Sequence, residues 1–349
     1  MSAGTGAAPL VSIVIVSWNG RAHLDRCLRA VAAQRPFTCG VDVETILVDN
    51  GSVDGTEAYV RQAFPWVRLV RLEANTGFTG GNNAGVREAR GRYVALLNND
   101  TEAEPDWLAR LVAGLDEAAG VTLVSSRVVY MDAPDVLDSA GDGFTRAGGA
   151  FKHGHGQPVS TAEVSREVFG VCGAACLMPT ALFRDLGGFD DAFFASHEDV
   201  DLSYRARLRG HRCRYVADAV VRHLGSATLG RMSGHAVFHG QRNLEWVYLK
   251  NTPAPLLWRT LPAHLVYNAA AAVHFARLGL VSAFLRAKVA ALGDIARVWR
   301  QRAEVQRTAV PGAAEAVWRV MEPRWLGLKI REKRFDRSIR GTEGAAPHA

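Results

Sequence analysis

The amino-terminal third of the chain alternates short apolar runs with segments of helical character. The first run, LVSIVIVS at 10–17, is largely β-branched, which is typical of a strand buried on both faces of a parallel sheet. The pattern predicts strands at 10–17, 43–49, 67–72 and 93–97, and helices at 21–33, 56–64 and 80–90. It therefore predicts an α/β fold with a mostly parallel central sheet and ligands at the carboxyl ends of the strands.

The alternation is less regular in the next part of the chain. A helix is predicted at 105–118 and a strand at 121–129, followed by a Gly- and His-rich stretch at 141–156 that indicates a loop or irregular hairpin facing the substrate. Strand character returns at 168–178 and 215–223. Between these two strands, the pattern at 197–209 predicts a helix that ends at Gly210.

The composition changes beyond Asn251, where prolines interrupt the chain and 261–285 is rich in Ala and other apolar residues. A bilayer span needs about 20 nearly unbroken apolar residues, whereas this segment is interrupted by His264, Asn268, His274 and Arg277. Together with the basic stretch 324–340, it predicts an amphipathic helical extension at 251–340 that lies on a membrane surface. A helical cap packed on the preceding domain is an equal alternative.

Composition places the chain among globular proteins. With 349 residues, 48% hydrophobic and 22% charged, it can bury a full core. The net charge of +6 suits phosphate-bearing ligands or an anionic membrane and does not by itself indicate nucleic acid. Five cysteines without paired spacing indicate reduced thiols in the cytosol. Residues 1–9 carry no secretion signal and are predicted to be a disordered leader, and 341–349 a disordered tail.

Two polar segments follow predicted strands and are candidates for ligand binding. NTGFTGGNNAG at 75–85 would let a backbone approach an anionic ligand, although a plain glycine-rich turn explains it equally well. It matches neither common phosphate-binding pattern. LLNNDTE places Asp100 where a carboxylate could bind a hard divalent cation, or could simply cap a helix near Pro105.

Two further sites carry titratable groups. Glu198, Asp199 and Asp201 lie at the start of a predicted helix, where the helix dipole favours carboxylates. Asp201 is best explained by an ion pair with Arg205, whereas Glu198 or Asp199 could accept a proton from a hydroxyl. His223 ends a strand and could bind a metal, although lone histidines are more often structural.

Taken in order, six segments resemble the family 2 glycosyltransferases, and most of all bacterial rhamnosyltransferases of cell-surface polysaccharide synthesis. The segments are VSIVIVSWN, VDNGSVDGT, NTGFTGGNNAG, LLNNDTE, GGFDDAFFASHEDVDLSYR and VRHLGSAT. The likeness covers about residues 10–250. It implies a GT-A fold with a nucleotide-sugar-binding half at 10–120, an acceptor-binding half at 121–250, a divalent cation (Mg²⁺ or Mn²⁺) and inversion at the anomeric carbon.

The resemblance also implies roles for individual residues. Asp100 matches the metal carboxylate of the family's DxD motif, whose first position here is the neutral Asn98, and His223 matches its metal-binding histidine. Asp199 corresponds to the base, and Glu198 to a residue that orients the site or the sugar. Arg242 and Asn243 occupy the positions of an RN pair without an assigned role. The implied donor-binding residues are Ser17, Asn19, Asp49, Asn50, Asn75, Gly77, Asn82, Asn98 and Asp100.

The predicted activity is transfer of a sugar, rhamnose from dTDP-rhamnose by resemblance, to a hydroxyl of a saccharide or polyprenyl-diphosphate-linked acceptor. The predicted location is the cytoplasm, at the inner face of the cell membrane. Three alternatives stay open: a UDP-hexose donor, a nucleotidyltransferase and a catalytically silent sugar-nucleotide-binding module. The chain lacks the glycine-rich signature that a nucleotidyltransferase carries near its first strand. The joint presence of Asp100, Asp199 and His223 disfavours the silent module.

Overall fold

A ten-stranded mixed sheet is the centre of the protein. The computed structural model describes residues 10–34, 42–225, 233–332 and 335, so that the predicted leader, the predicted tail and Cys39 lie outside the described residues. Its strands are β1 (Val11–Ser17), β2 (Val43–Asp49), β3 (Arg68–Arg71), β4 (Tyr93–Asn98), β5 (Thr101–Ala103), β6 (Val121–Tyr130), β7 (Leu137–Ser139), β10 (Arg166–Val168), β11 (Ala175–Pro179) and β12 (Arg212–His223). A separate two-stranded hairpin consists of β8 (Asp142–Phe144) and β9 (Ala150–Lys152).

The strand order confirms the predicted α/β fold. Along the sheet it is β10-β12-β6-β11-β4-β1-β2-β3, with β5 added to β12 and β7 to β6. β1 pairs in parallel with both β2 and β4, and β12 pairs in parallel with β6. β11 runs antiparallel between β4 and β6. Because β1, β2 and β4 run in one direction, their carboxyl ends meet at one edge, where ligands are expected.

Helices cover both faces of the sheet. They are α1 (Arg21–Ala32), α2 (Thr56–Ala63), α3 (Gly77–Glu88), α4 (Trp107–Gly114), α5 (Thr180–Asp185), α6 (Glu198–Leu208), α7 (Gly234–Asn251), α8 (Ala254–Arg277), α9 (Val281–Gly293), α10 (Ile295–Arg307) and α11 (Ala313–Val320). Alternate side chains of β1 divide the core: Ile13 and Ile15 pack with α1, whereas Val14 packs with α3. The eight-residue apolar run predicted this two-sided burial.

The predicted strand at 168–178 is wrong in its middle. The structure has two short strands there, β10 and β11, separated by 169–174. The amides of Val171, Cys172 and Gly173 donate to the side chains of Ser203, Ser125 and Asp199. Because these three successive N–H groups bind side chains, they are not available to a neighbouring strand, and the backbone leaves the sheet. The predicted helix at 105–118 is longer than the helix in the structure, which begins after Pro105, at Trp107, and ends at Gly114.

The carboxyl-terminal helices pack against the preceding part of the chain. Their apolar side chains share one core with Phe144, Phe169 and Tyr204. Arg297 reinforces this contact with an ion pair to Asp190 at 3.3 Å. The inward side of these helices is thus packed as the cap alternative expects, and the membrane-surface role stays a prediction. Among the described helices, none combines the length and apolarity needed to cross a membrane.

Candidate functional site

The largest concentration of predicted site residues lines one cavity of about 640 Å³ at the carboxyl ends of β1, β2 and β4. Eight predicted residues line it: Asn50, Asn75, Gly77, Asn98, Asp100, Glu198, Asp199 and His223. Residues from the two halves of the predicted domain thus meet around one space. A concave site that combines apolar walls with a few polar groups is typical of small-ligand binding.

Asp100, His223 and Asp138 form a chain of hydrogen bonds along one wall. The Asp100 Oδ1 lies 3.2 Å from the His223 Nε2, and the His223 Nδ1 lies 2.8 Å from the Asp138 Oδ2. All three side chains are buried. β12 and β5 position this group, because their pairing sets His223 opposite Thr101, the residue after Asp100.

Charge couples the three groups. Burial alone would lower the pKa of His223, but its hydrogen bonds to Asp100 and Asp138 outweigh burial and raise that pKa to about 9. Burial opposes ionisation of Asp100, yet the bond from His223 lowers its pKa. Burial also opposes ionisation of Asp138. The Lys152 charge at 2.9 Å and the hydrogen bonds from His155 and His223 outweigh burial and hold the pKa of Asp138 well below its usual range. The histidine is thus held between two carboxylates.

The chemistry of this group fits a divalent cation. Neighbouring ligands of an octahedral ion at about 2.1 Å lie about 3 Å apart, close to the Asp100–His223 separation of 3.2 Å. Asp138 fixes Nδ1, so a cation that displaces the Nε2 proton would be met by the Nε2 lone pair, as in carboxylate–histidine–metal arrangements. No three His, Cys, Asp or Glu side chains within 10–34, 42–225 and 233–332 are grouped to hold an ion by themselves. Water and phosphate oxygens would complete the coordination, as Mg²⁺ prefers.

Asp199 lines the same cavity, at the start of α6. Backbone amides fix its carboxylate, because Gly173 donates to Oδ2 and Val200 to Oδ1, each at 2.8 Å. The preceding turn is strained: Phe194, Ser196 and His197 all have positive φ. Non-glycine residues rarely adopt this conformation, which concentrates at functional sites. The strain directs the amino terminus of α6 into the cavity.

Two buried carboxyl groups adjoin Asp199. Burial and the Asp199 charge raise the pKa of Asp142 well above its usual range, and Asp142 hydrogen-bonds to Asp199. Burial and the same charge also raise the pKa of Glu198 well above normal, and its Oε2 has no partner among the described residues. Burial and the neighbouring like charge thus favour the protonated forms of Asp142 and Glu198. A protonated Asp142 can donate to Asp199.

The RN pair acquires a structural role. The Asn243 Nδ2 lies 3.0, 2.9 and 2.8 Å from the carbonyl oxygens of Phe193, Ala195 and Ser196. Arg242 donates to the carbonyl of Ala192 at 2.8 Å. These contacts tie α7 to the strained turn before Asp199 and stabilise its unusual backbone.

The glycine-rich segment forms another wall of the cavity. Asn50 donates to the Asn75 Oδ1 at 3.1 Å and to the carbonyl of Gly77 at 2.9 Å, which joins the end of β2 to the start of α3. Gly77 has a φ of 76°, and a Cβ there would meet the Phe194 carbonyl oxygen at 2.3 Å. Glycine is therefore required at this position by both its dihedral angle and the contact.

Four predicted donor-binding residues do not line the cavity: Ser17, Asn19, Asp49 and Asn82. Ser17 accepts from Asn99 at 3.0 Å, and Asn19 accepts from the amide of Val53 at 2.9 Å. Asp49 pairs with Arg71. Asn82 is buried within α3 and donates to the Phe78 carbonyl at 2.9 Å. These contacts shape the walls around the cavity, and the predicted role in donor binding stays a prediction.

Four functional candidates were not found from the sequence: Trp18, Asp138, Asp142 and Lys152. Asp138 and Asp142 belong to DSAGDGF, whose two acids near glycines were the available signal. Lys152 lies within the Gly- and His-rich stretch 141–156 that was predicted to face the substrate. It lines the cavity with Trp18, which is 42% exposed. A cation and an open aromatic face are the groups that bind a diphosphate and a nucleobase.

Comparison with known proteins points to the family that the six sequence segments resemble. A family model described as glycosyl transferase family 2 matches residues 12–186. A stretch of 126 residues is 36% identical to succinoglycan biosynthesis protein ExoO of Rhizobium meliloti, covering 36% of this chain and 35% of that protein. The aligned part is thus about a third of that relative's length.

A longer alignment and a solved structure extend the comparison. Over 279 residues the chain is 27% identical to an N-acetylglucosaminyl-diphospho-decaprenol L-rhamnosyltransferase of Mycobacterium tuberculosis, covering 71% of this chain and 88% of that protein. The mannosyltransferase PcManGT of Pyrobaculum calidifontis, solved with GDP-Man and Mn²⁺, superposes with a TM-score of 0.50 at 19% identity, covering 90% of this chain and 88% of that one. At that identity the superposition shows a shared fold alone.

Proposed function

Because the chain belongs to glycosyl transferase family 2, we propose that it transfers a sugar from a nucleotide diphosphate donor to an acceptor hydroxyl, with inversion at the anomeric carbon. One observation carries the proposal: Asp199 and the Asp100–His223 pair line the same cavity. An in-line displacement needs a base and a place for a diphosphate around one space, and these residues can supply both.

The chain's own residues supply the proton chemistry. Asp199 takes the proton of the acceptor hydroxyl as its oxygen attacks the anomeric carbon and the bond to the diphosphate breaks. Asp142, protonated and hydrogen-bonded to Asp199, keeps that carboxylate in place. Glu198 has a protonated, unpartnered carboxyl group with which it can donate a hydrogen bond to a sugar hydroxyl. Lys152, next to Asp138, lies where it can offset phosphate charge.

Asp100 and His223 would hold a divalent cation, Mg²⁺ or Mn²⁺. When bound, such an ion offsets the negative charge that collects on the leaving diphosphate. Asn98 lines the cavity beside them without adding a second charge. The Asn98 Nδ2 lies 3.5 Å from the His223 Nε2, so it can help to orient the imidazole.

Asp138 is proposed as a positioning residue for His223, and the Asp138→Asn variant tests this role. The asparagine keeps the size of the side chain and loses the charge that fixes His223 through Nδ1. We expect the Mn²⁺ affinity, measured by calorimetry without donor, to fall by about 10–100-fold. Asp132→Asn, an exposed acid six residues earlier, is the matched control and should bind Mn²⁺ normally. Equal affinity in Asp138→Asn and the control would remove Asp138 from this role.

The proposed donor is dTDP-rhamnose, and the proposed acceptor is a saccharide linked to a polyprenyl diphosphate, in the synthesis of a cell-surface polysaccharide. The support is the Mycobacterium tuberculosis relative, which aligns over most of both chains. A UDP-hexose is the alternative donor. A lipid-linked acceptor would require the protein to work at the inner face of the cell membrane.

A thermal-shift screen tests which donor binds and whether its binding needs a cation. The full chain is heated with dTDP-rhamnose or UDP-hexoses, each with and without Mg²⁺ or Mn²⁺. We expect the largest rise in Tm with dTDP-rhamnose and a cation, because a ligand that binds only the folded state stabilises it. A larger rise in Tm with a UDP-hexose would identify the UDP-hexose, and not dTDP-rhamnose, as the donor.

Donor hydrolysis separates an enzyme from a silent binding module. Slow release of nucleoside diphosphate that needs the divalent cation is expected of the enzyme. A donor that stabilises the chain while no diphosphate is released, with or without acceptor, would favour the module.

A further inference from the structure

The outward sides of α8 and α9 and the first turns of α10 carry an unusual concentration of exposed apolar side chains. Seventeen large hydrophobic residues are exposed among the described residues, and ten of them lie within 258–299. They are Trp258, Leu265, Val266, Val273, Val281, Leu285, Val289, Leu292, Ile295 and Trp299. We refer to these ten residues as the apolar face. Large contiguous apolar surfaces mark interaction sites, whereas single exposed residues do not.

On α8 the apolar face follows the helical repeat. Trp258, Leu265 and Val273 are spaced by seven and eight residues, which places them on one side of the helix. Trp258 is 72% exposed and Leu265 61% exposed. The opposite side of the helix is buried through Leu257 and Tyr267 in the shared core. The helix is thus apolar on its buried side and on its solvent side.

The apolar face continues onto α9, which packs beside α8. Phe275 of α8 stacks on Phe284 of α9 with ring centroids 5.7 Å apart. Ala287 of α9 is buried, whereas Leu285 and Val289 are exposed, the latter by 69%. The two outward stripes therefore lie side by side on a hairpin whose inner sides are already occupied.

The charge pattern identifies what this surface would contact. No acidic residue occurs in 246–293, whereas Arg259, Arg277, Arg286 and two lysines do. The one acid within 258–299, Asp294, lies 3.7 Å from Arg297. Arg277 and Arg286 are exposed, and no carboxylate of the described residues lies within ion-pair distance of either. Apolar side chains next to exposed cations favour an anionic lipid surface. A second copy of this chain would bring the same cations together without acids from this segment to offset them.

The apolar face is also connected to the site. A second cavity of about 390 Å³ is lined by Gly234, His235, Phe238 and Arg286. His235 also lines the larger cavity, which Asp199 lines too. Arg286, which adjoins exposed Leu285 of the apolar face, therefore lines a cavity that shares a residue with the proposed site.

We propose that the apolar face docks on a bilayer that contains anionic lipid, with Arg277 and Arg286 at the headgroups. The apolar side chains enter the interfacial region, and the second cavity then opens toward the membrane surface. The choice of a bilayer rests in part on the proposed lipid-linked acceptor. Vesicle binding needs neither donor nor acceptor, so its failure would leave the proposed transfer reaction standing.

Vesicle co-sedimentation of the full chain tests the proposal. We expect binding to phosphatidylglycerol vesicles and much weaker binding to phosphatidylcholine vesicles. The triple variant Leu265→Ser, Val289→Ser, Leu292→Ser should lower the partition coefficient at least about 100-fold, because three apolar side chains no longer leave water. Arg277→Gln and Arg286→Gln should each lower it about 5-fold on phosphatidylglycerol, and added salt should reduce the effect of these two substitutions.

Val164→Ser is the matched control, since Val164 is 75% exposed and outside the apolar face. It should bind vesicles as the unmodified chain does. All substituted positions are exposed, and an unchanged Tm would show that the variants fold. No binding to phosphatidylglycerol by the unmodified chain, or binding that survives the triple substitution, would overturn the proposal. A dimer in sedimentation velocity that the triple variant dissociates, without vesicle binding, would assign the apolar face to self-association instead.

Discussion

Replacing Asp199 by Asn should lower kcat for sugar transfer by about 10²–10⁴-fold, the usual contribution of a positioned general base. The amide cannot take the acceptor proton at neutral pH. Its oxygen can still accept from the amide of Gly173 or Val200, which now fix the carboxylate. The turn before α6 should therefore keep its shape. Donor affinity, measured by calorimetry, should stay nearly unchanged, because the donor side of the cavity is formed by Asn50, Asn75 and Gly77.

The control separates loss of the base from loss of charge on the surface. Asp185→Asn removes an exposed carboxylate at the end of α5 and should leave kcat at its original value. A loss of kcat in Asp199→Asn with an unchanged KM for donor would identify the base. Transfer at the normal rate by a folded Asp199→Asn variant would exclude Asp199, and Glu198 would then be the carboxylate to test.

The alternation of apolar runs and helices predicted the fold because each step was local. Strand β1 is buried on both faces, so its eight-residue apolar run left little room for another interpretation. The predicted strand at 168–178 failed for a reason that is not local. Its amides bind Ser125, Ser203 and Asp199, which come from β6 and α6. Contacts between residues far apart in sequence cannot be found from the apolar pattern of one segment.

The site residues likewise divide into those that the sequence predicted and those that depend on distant contacts. Asp100, His223 and Asp199 occur in segments with recognisable order, and the structure places all three at one cavity. Asp138 and Asp142 had no such signal, because their importance comes from contacts with His223 and Asp199. The role of Asn243 depends on the strained backbone at Phe194 and Ser196, which no sequence pattern marks. The order of the sequence segments thus predicted the residues that line the cavity better than the residues that support them.

The supporting residues bear on how the proposed cation site could work with one ligand carboxylate instead of two. Asn98 occupies the first position of the DxD motif and brings no charge. Asp138 supplies a second carboxylate through His223, whose Nδ1 it holds at 2.8 Å. A hydrogen-bonded carboxylate makes an imidazole a better metal ligand. We infer that part of the missing negative charge is supplied from behind the histidine.

Replacing Asp100 by Ala should weaken Mn²⁺ binding by at least about 10–100-fold, the range that loss of a supporting residue alone produces. Asp100 is the one carboxylate of the pair, and its Oδ1 faces the His223 Nε2 at 3.2 Å. Calorimetry should show that nucleoside diphosphate binds more weakly to the variant in the presence of Mn²⁺. In the presence of a chelator, the variant and the unmodified chain should bind it alike, because the effect passes through the cation.

Two matched variants make the Asp100 experiment decisive. Asp100→Asn keeps the side chain's size and one oxygen, so its Mn²⁺ affinity should lie between those of Asp100→Ala and the unmodified chain. Asp132→Ala removes an exposed carboxylate near the end of β6 and should change neither measurement. If nucleoside diphosphate binding by a folded Asp100→Ala variant responds to Mn²⁺ as the unmodified chain does, the cation is held elsewhere. In that case the bond between Asp100 and His223 would be a structural ion pair that closes the end of β12 against β5, as their strand pairing already suggests.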